Sequence, residues 1–168
     1  MKNIIALLAT LLCVGYSQAA NVEKLKPSDF YQSREVSVST FGVAKIDNLK
    51  DFRRIDGPDY GGGVGLNYYH WKTAGVGLEA QSYNLTGDAI DQLGGKLIGR
   101  LPFDRLSINY GIGGQFEFGP DRWSVFAEVG PELRLTKHIG LFALARGVRP
   151  IGYPQGEHIL GLVGVSIR

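Results

Sequence analysis

The sequence predicts an all-β fold, an eight-stranded antiparallel up-and-down β-barrel. Three observations support this prediction. Long segments alternate apolar residues with small or polar ones at a period of two, as β-strands with two different faces do. Eight such segments follow one another along the 168 residues. The connections between them alternate between tight turns and longer loops that are rich in glycine, proline and charge.

The clearest alternation lies in residues 106–136. Apolar side chains occupy the even positions of 106–118, except at Gly114, and small or polar residues occupy the odd positions. After a Gly-Pro-Asp-Arg sequence, which favours a turn, the apolar residues continue at odd positions from Trp123 to Leu135. Each arm of this predicted hairpin is longer than the about 5–6 residues of a soluble strand. Each reaches the about 9–11 residues that a membrane-spanning strand needs, so the barrel is predicted to be transmembrane.

Four strands are predicted before this hairpin. A weak strand covers 36–45, and clearer ones cover 60–70, 74–81 and 92–101. The highly charged segment 45–59 and the break at 83–91 are predicted to be loops, because both contain glycine with aspartate or proline. The connections at 71–73 and 102–105 are short and are predicted to be turns.

Two strands are predicted after the hairpin, at 139–146 and 159–167, with a loop rich in proline and glycine at 149–156 between them. The short turn that leads into the first of them is centred on Lys137. That centring places Glu128 directly opposite Arg146 on the inner face of the barrel wall.

Residues 1–19 have the features of a cleaved signal peptide. Lys2 supplies a positive charge, an apolar run follows at 4–14, and a small-x-small cleavage site ends at Ala19. The apolar run is too short to span a membrane. Cys13 is the one cysteine and lies in this segment, so we expect a mature chain without disulfides. A lipoprotein signal has small residues before its cysteine, and Leu12 fits that pattern poorly, so lipidation is not expected.

The domain prediction assigns 20–33 to a polar, non-periodic periplasmic leader and 34–168 to the barrel. The formal net charge of +2 argues against a nucleic-acid-binding protein, which needs a basic excess on one face. Beyond the signal peptide, the sequence predicts no transmembrane helix.

Alternation alone also suits a soluble, lipocalin-like ligand-binding barrel whose apolar face points inward. Glycines crowd the polar face, and a narrow barrel interior needs such small residues. Aromatic residues gather near both ends of the apolar face, as in the girdles of membrane barrels. These two features favour the membrane. The predicted girdles comprise Tyr60, Phe116, Phe118 and Trp123 at the long-loop end, and Tyr68, Trp71 and Phe103 at the short-turn end.

The inward face carries four acidic and four basic residues. Charges inside a barrel persist only when they are paired, so this balance favours a structural ion-pair network that fills the lumen; a proton or ion pathway is the alternative. The predicted network comprises Glu79, Lys96, Arg100, Glu117, Glu128, Glu132, Arg134 and Arg146.

Over 34–168 the chain resembles the small bacterial outer-membrane barrels of the outer-membrane protein A and X type. The resemblance rests on the even strand number, the short turns on one rim and the longer loops on the other. It implies an outer-membrane location and a non-enzymatic structural or surface-interaction role. We expect outer-membrane lipids and lipopolysaccharide as partners and no cofactor. Members usually end in an aromatic residue, whereas this chain ends in Ile167 and Arg168, which puts its assembly signal in question.

Some small barrels are enzymes that modify lipid A, and this is the alternative function. Such an enzyme needs a histidine beside a serine or another nucleophile. The histidines are His70, His138 and His158, and Ser82 is the serine nearest to the level of His158. This arrangement does not match a catalytic pattern. No catalytic, cofactor or metal residues are therefore predicted.

The basic residues of the first long loop are candidates for contact with lipopolysaccharide phosphates or with a partner. Interleaved aspartates nearly cancel its positive charge, so a merely solvated loop is favoured over a binding site. The basic residues concerned are Lys45, Lys50, Arg53 and Arg54.

Overall fold

The computed structural model describes residues 30–46, 60–82, 91–118, 121–152 and 157–168. Eight antiparallel strands form one closed barrel in chain order, with β1 hydrogen-bonded to β8, so the predicted fold is confirmed. The strands are β1 (Glu35–Ile46), β2 (Tyr60–Tyr69), β3 (Ala74–Ser82), β4 (Gln92–Phe103), β5 (Leu106–Glu117), β6 (Arg122–Arg134), β7 (Ile139–Pro150) and β8 (His158–Ile167).

Several predicted segments lie outside the described residues. They are the signal peptide, residues 20–29 of the leader, and the loop portions 47–59, 83–90, 119–120 and 153–156. In the part of the chain that is described, no helix is long and apolar enough to cross a membrane.

Two strands extend by two residues or more beyond a predicted end. β4 continues to Phe103, which pairs with Leu106 of β5 and leaves a turn of only two residues. Asp104 in that turn has a φ of 56°, a left-handed conformation that aspartate tolerates better than most residues. β7 continues to Pro150 because β6 provides partners for it up to Ser124.

The register between β6 and β7 is the one that a turn centred on Lys137 predicts. Glu128 pairs with Arg146, and the same register holds on both sides of a short interruption. At the interruption, Gly130 and Pro131 keep their partners on β5 but have none on β7. Proline has no backbone N–H to donate, so a gap in the ladder is expected there.

The apolar face of the wall points outward. Leu97, Ile112 and Val163 are 62%, 61% and 67% exposed, and most other apolar residues of the same parity are also exposed. On this face the ring of Tyr110 lies against its ladder partner Gly99, where an added Cβ would be 2.6 Å from the phenol oxygen. A lipocalin-like barrel would have the opposite orientation, so that alternative is excluded.

The inner face has an apolar side and a polar side. β1, β6, β7 and β8 contribute a cluster of buried apolar residues, against which Phe142 and Leu144 pack. Inward-facing glycines give the larger side chains room: a Cβ on Gly63 would lie 2.6 Å from Phe41 Cζ. The cluster comprises Phe41, Val43, Phe126, Val148, Leu160 and Leu162.

Candidate functional site

The middle of the lumen holds four charged side chains, which we call the central quartet: Glu79, Lys96, Glu128 and Arg146. The Lys96 Nζ lies 2.9 Å from Glu79 Oε2 and 2.7 Å from Glu128 Oε1. Arg146 donates from Nη2 to Glu79 Oε2 at 2.8 Å and from Nε to Glu128 Oε2 at 2.9 Å. Each cation therefore contacts both carboxylates, and the four charges cancel.

The wall around the quartet is shaped to hold it. Arg146 is fully buried, and its guanidinium carbon lies 4.2 Å from the centroid of the Phe126 ring. Lys96 extends over Gly77, where a Cβ would lie 3.2 Å from Lys96 Cε. Because buried charges cost free energy unless they are paired, this close pairing is what lets them remain inside the barrel.

A second group of charges, which we call the rim cluster, lies at the end of the barrel that carries the tight turns. We call this end the short-turn rim. The cluster comprises Glu35, Arg100, Glu132, Arg134 and Arg168. Glu35 Oε1 accepts hydrogen bonds from Arg100 Nη1 at 2.6 Å, Arg134 Nη2 at 3.0 Å and Arg168 Nε at 2.8 Å. Arg168 also pairs with Glu132.

Glu132 is held from two further sides. Asn109 Nδ2 donates to its Oε2 at 2.8 Å, and Ser166 Oγ donates to its Oε1 at 2.7 Å. Glu132 thus joins β5, β6 and β8 with the C-terminal Arg168.

Residues 30–34, which we call the N-terminal strap, close the lumen beneath the rim cluster. Phe30 and Tyr31 are only 2% and 4% exposed. The Tyr31 ring centroid lies 4.0 Å from the guanidinium carbon of Arg134 and 5.0 Å from that of Arg100. Burial raises the pKa of the Tyr31 hydroxyl above its ordinary value, so the ring remains neutral between these cations.

Arg100 ties the strap to the wall. Its Nη2 donates to the backbone oxygen of Gln32 at 3.1 Å, and its Nε donates to that of Lys72 at 2.6 Å. The strap is therefore anchored by hydrogen bonds as well as by buried rings.

A third polar group lies toward the opposite end of the barrel, which we call the long-loop rim. Glu117 accepts from Arg122 Nε at 2.7 Å and from Ser124 Oγ at 2.6 Å. Gln115 Nε2 donates to Gln92 Oε1 at 2.9 Å, and the buried side chain of Gln81 contacts both of these amides.

The eight predicted lumen residues all face inward, but they form three groups instead of one network. Four make up the central quartet, Arg100, Glu132 and Arg134 belong to the rim cluster, and Glu117 lies at the long-loop rim. The sequence interpretation missed Glu35 and Arg168. Both have the inward parity of their strands, so extending β1 and β8 by one residue each would have found them.

The strap was also missed, because Phe30 and Tyr31 lie in a segment without periodicity. The sequence signal for the strap is this pair of adjacent aromatic residues within a polar segment.

The seven predicted girdle aromatics lie near the two rims. Toward the long-loop rim, the Phe116 ring centroid is 5.3 Å from that of Phe118 and 5.2 Å from that of Trp123, and Tyr60 is exposed. Toward the short-turn rim, Tyr68, Trp71 and Phe103 are exposed on the outer face.

The histidines lie at the rims. The His70 ring packs against Trp71 with centroids 4.6 Å apart, His138 Nδ1 is 3.1 Å from the backbone oxygen of Arg168, and His158 begins β8. Within the described ranges, no group of three or more His, Cys, Asp or Glu residues could hold a metal ion.

A small cavity remains between the quartet and the rim cluster. Its volume is about 50 Å³, and its polar lining includes Asn67, Asn109, Glu132 and Ser166. This space is enough for a few water molecules and too small for an organic ligand.

No protein-family model matches this sequence, and no curated protein matches it. Among the solved structures that are similar to the barrel are two from Pseudomonas aeruginosa. The N-terminal β-barrel domain of OprF from Pseudomonas aeruginosa has a TM-score of 0.58 at 11% identity, covering 80% of this chain and 97% of that one. The outer membrane protein OprG from Pseudomonas aeruginosa has a TM-score of 0.53 at 12% identity, covering 83% and 97%. The chain therefore has the eight-stranded barrel fold of bacterial outer-membrane proteins.

Proposed function

We propose that this protein is a non-enzymatic barrel of the bacterial outer membrane, with a side-chain-filled lumen and a structural or surface-interaction role. The central quartet carries this proposal, because it crosses the lumen with paired side chains where a pore would need open space.

The outer surface supports the membrane location. Apolar side chains on all eight strands face outward, and exposed aromatic residues lie near both rims. A continuous apolar surface of this extent is unfavourable in water and matches the hydrocarbon core of a bilayer. In such barrels the short turns face the periplasm, which would place the strap and the rim cluster on that side.

The interior supports a role other than transport. The lumen holds the strap, the rim cluster, the central quartet and the contacting side chains of Gln81, Gln92 and Gln115. The cavity between the quartet and the rim cluster is about 50 Å³. An eight-stranded barrel is just wide enough for its own side chains, so the remaining surface for interactions is the outer wall and the rims.

The proposed partners are outer-membrane lipids along the apolar wall and lipopolysaccharide at the long-loop rim. Lys45 is at the edge of the described residues, and Lys50, Arg53 and Arg54 lie outside them.

Two measurements test the proposal. Cell fractionation should recover the protein from detergent-extracted outer membranes, with unboiled and boiled samples migrating differently on gels. Recovery as free periplasmic protein would contradict the membrane location. In planar bilayers the purified barrel should show no stable, porin-sized conductance steps, with protein-free detergent at the same dilution as the control. Stable steps would contradict the filled lumen.

A further inference from the structure

The short-turn rim carries a ring of four exposed basic residues, which we call the basic ring: Arg34, Lys72, Arg105 and Lys137. Each of the three tight turns contributes one of them, and the strap contributes the fourth. We propose that the basic ring binds the headgroups of anionic phospholipids. This inference rests on the membrane location proposed above.

The basic ring lies at the boundary of the apolar wall. Lys72 directly follows Trp71, which is 63% exposed, and Arg105 follows Phe103, which is 59% exposed, by two residues. Aromatic rings of membrane proteins favour the interface, and long basic side chains extend from there toward lipid phosphates. The sequence neighbours thus place Lys72 and Arg105 at headgroup depth.

The charge of the ring is largely unopposed. None of the four residues forms an ion pair with another described residue; Arg105 instead lies over the Phe30 ring, at 5.5 Å from its centroid. Asp104 is the one acidic side chain within the described strap and tight turns. Glu35, which follows Arg34 in sequence, is paired with three arginines of the rim cluster.

Four exposed cations without nearby ion pairs favour an anionic lipid over a zwitterionic one. Lysine and arginine donate charge-assisted hydrogen bonds to phosphate oxygens. In phosphatidylcholine the choline cation opposes the ring, whereas phosphatidylglycerol has net negative charge and no such cation. Because the turns are distributed around the barrel, the basic ring would contact several lipids of the annulus.

The two tryptophans allow a direct test, because Trp71 lies at the short-turn rim and Trp123 at the opposite rim. A Trp123→Phe protein leaves Trp71 as the one fluorescent tryptophan. It is folded into phosphatidylcholine vesicles that contain dibrominated phosphatidylglycerol or dibrominated phosphatidylcholine, which quench a tryptophan they touch. We expect brominated phosphatidylglycerol to compete for the Trp71 site about fivefold better, as expected for one basic residue acting near an anionic lipid. The preference should decline in high salt.

Substitutions separate the ring from general membrane contact. In the Trp123→Phe background, Lys72→Gln with Arg105→Gln should remove the preference. Arg149→Gln, at a 73% exposed position on the long-loop rim, should leave it unchanged. If both brominated lipids quench the Trp123→Phe protein equally, the basic ring does not bind anionic headgroups, and the membrane location is unaffected. If neither brominated lipid quenches Trp71, both the lipid binding by the basic ring and the membrane location are contradicted.

Discussion

The central quartet and the rim cluster both hold charged side chains inside the barrel, but they balance those charges in different ways. The quartet has two charges of each sign, and all four come from the interior of strands. The rim cluster sets three arginines against two glutamates, which come from β1, β4, β6 and the residue after β8. Its excess cation lies among aromatic rings: the guanidinium carbon of Arg100 is 3.9 Å from the Tyr69 ring centroid.

The comparison shows that the middle of the lumen depends on charge neutrality, whereas the short-turn rim depends on shared contacts and on the strap. The quartet is surrounded by wall on all sides, so any loss of balance leaves a buried charge. In the rim cluster each carboxylate accepts hydrogen bonds from several donors, and the strap covers the cluster. The loss of a single side chain there is therefore expected to be milder.

The largest effect is expected from unbalancing the quartet. Arg146→Leu leaves Glu79 and Glu128 with one cation between them, and breaking a buried pair costs about 3–5 kcal/mol. Urea titration of the barrel in lipid vesicles measures this loss as a decrease in the free energy of unfolding.

The matched control restores neutrality. Glu128→Leu together with Arg146→Leu leaves Glu79 paired with Lys96, whose atoms are 2.9 Å apart. The double variant should lose less stability than Arg146→Leu alone. A loss equal to the sum of the two single losses would show that the quartet is not coupled.

A smaller loss is expected at the rim cluster. Glu35→Gln removes the charge shared by three guanidiniums but keeps an oxygen that can accept hydrogen bonds, so we expect a loss of about 1.5–3 kcal/mol in the same titration. Glu157→Gln is the control, because Glu157 pairs with Arg149 at 3.3 Å in an exposed position. Equal effects of the two substitutions would refute a structural role for Glu35.

The smallest loss is expected at the strap. Tyr31→Leu keeps an apolar side chain but removes the ring between Arg100 and Arg134, a change of about 0.5–2 kcal/mol. Phe30→Leu should cost less, because the cation near Phe30 is the exposed Arg105. If Phe30→Leu proves the more damaging, cation–π contact does not hold the strap.

The same contrast explains what the sequence could predict. Period-two alternation requires only that one face meets lipid and the other meets the lumen, so it identified all eight strands and the inward side of the quartet. The register at Lys137 followed from turn length and placed Glu128 opposite Arg146.

The remaining features depend on contacts that alternation does not encode. The strap has no periodicity, and its place is set by Arg100 and Arg134, which are more than sixty residues away in sequence. The division of the lumen charges into three groups depends on barrel stagger and side-chain length. Neither can be obtained from the pattern of a single strand.

The most direct test of the central claim, that the apolar face meets lipid while the charges fill the lumen, is the stability of Leu97→Arg in lipid vesicles. Leu97 faces outward near the middle of β4, and Leu101 faces the same way near its end. We expect Leu97→Arg to lose about 2–4 kcal/mol of unfolding free energy and Leu101→Arg only about 0–1 kcal/mol. If Leu97→Arg is as stable as the wild type, the assignment of the two faces is wrong.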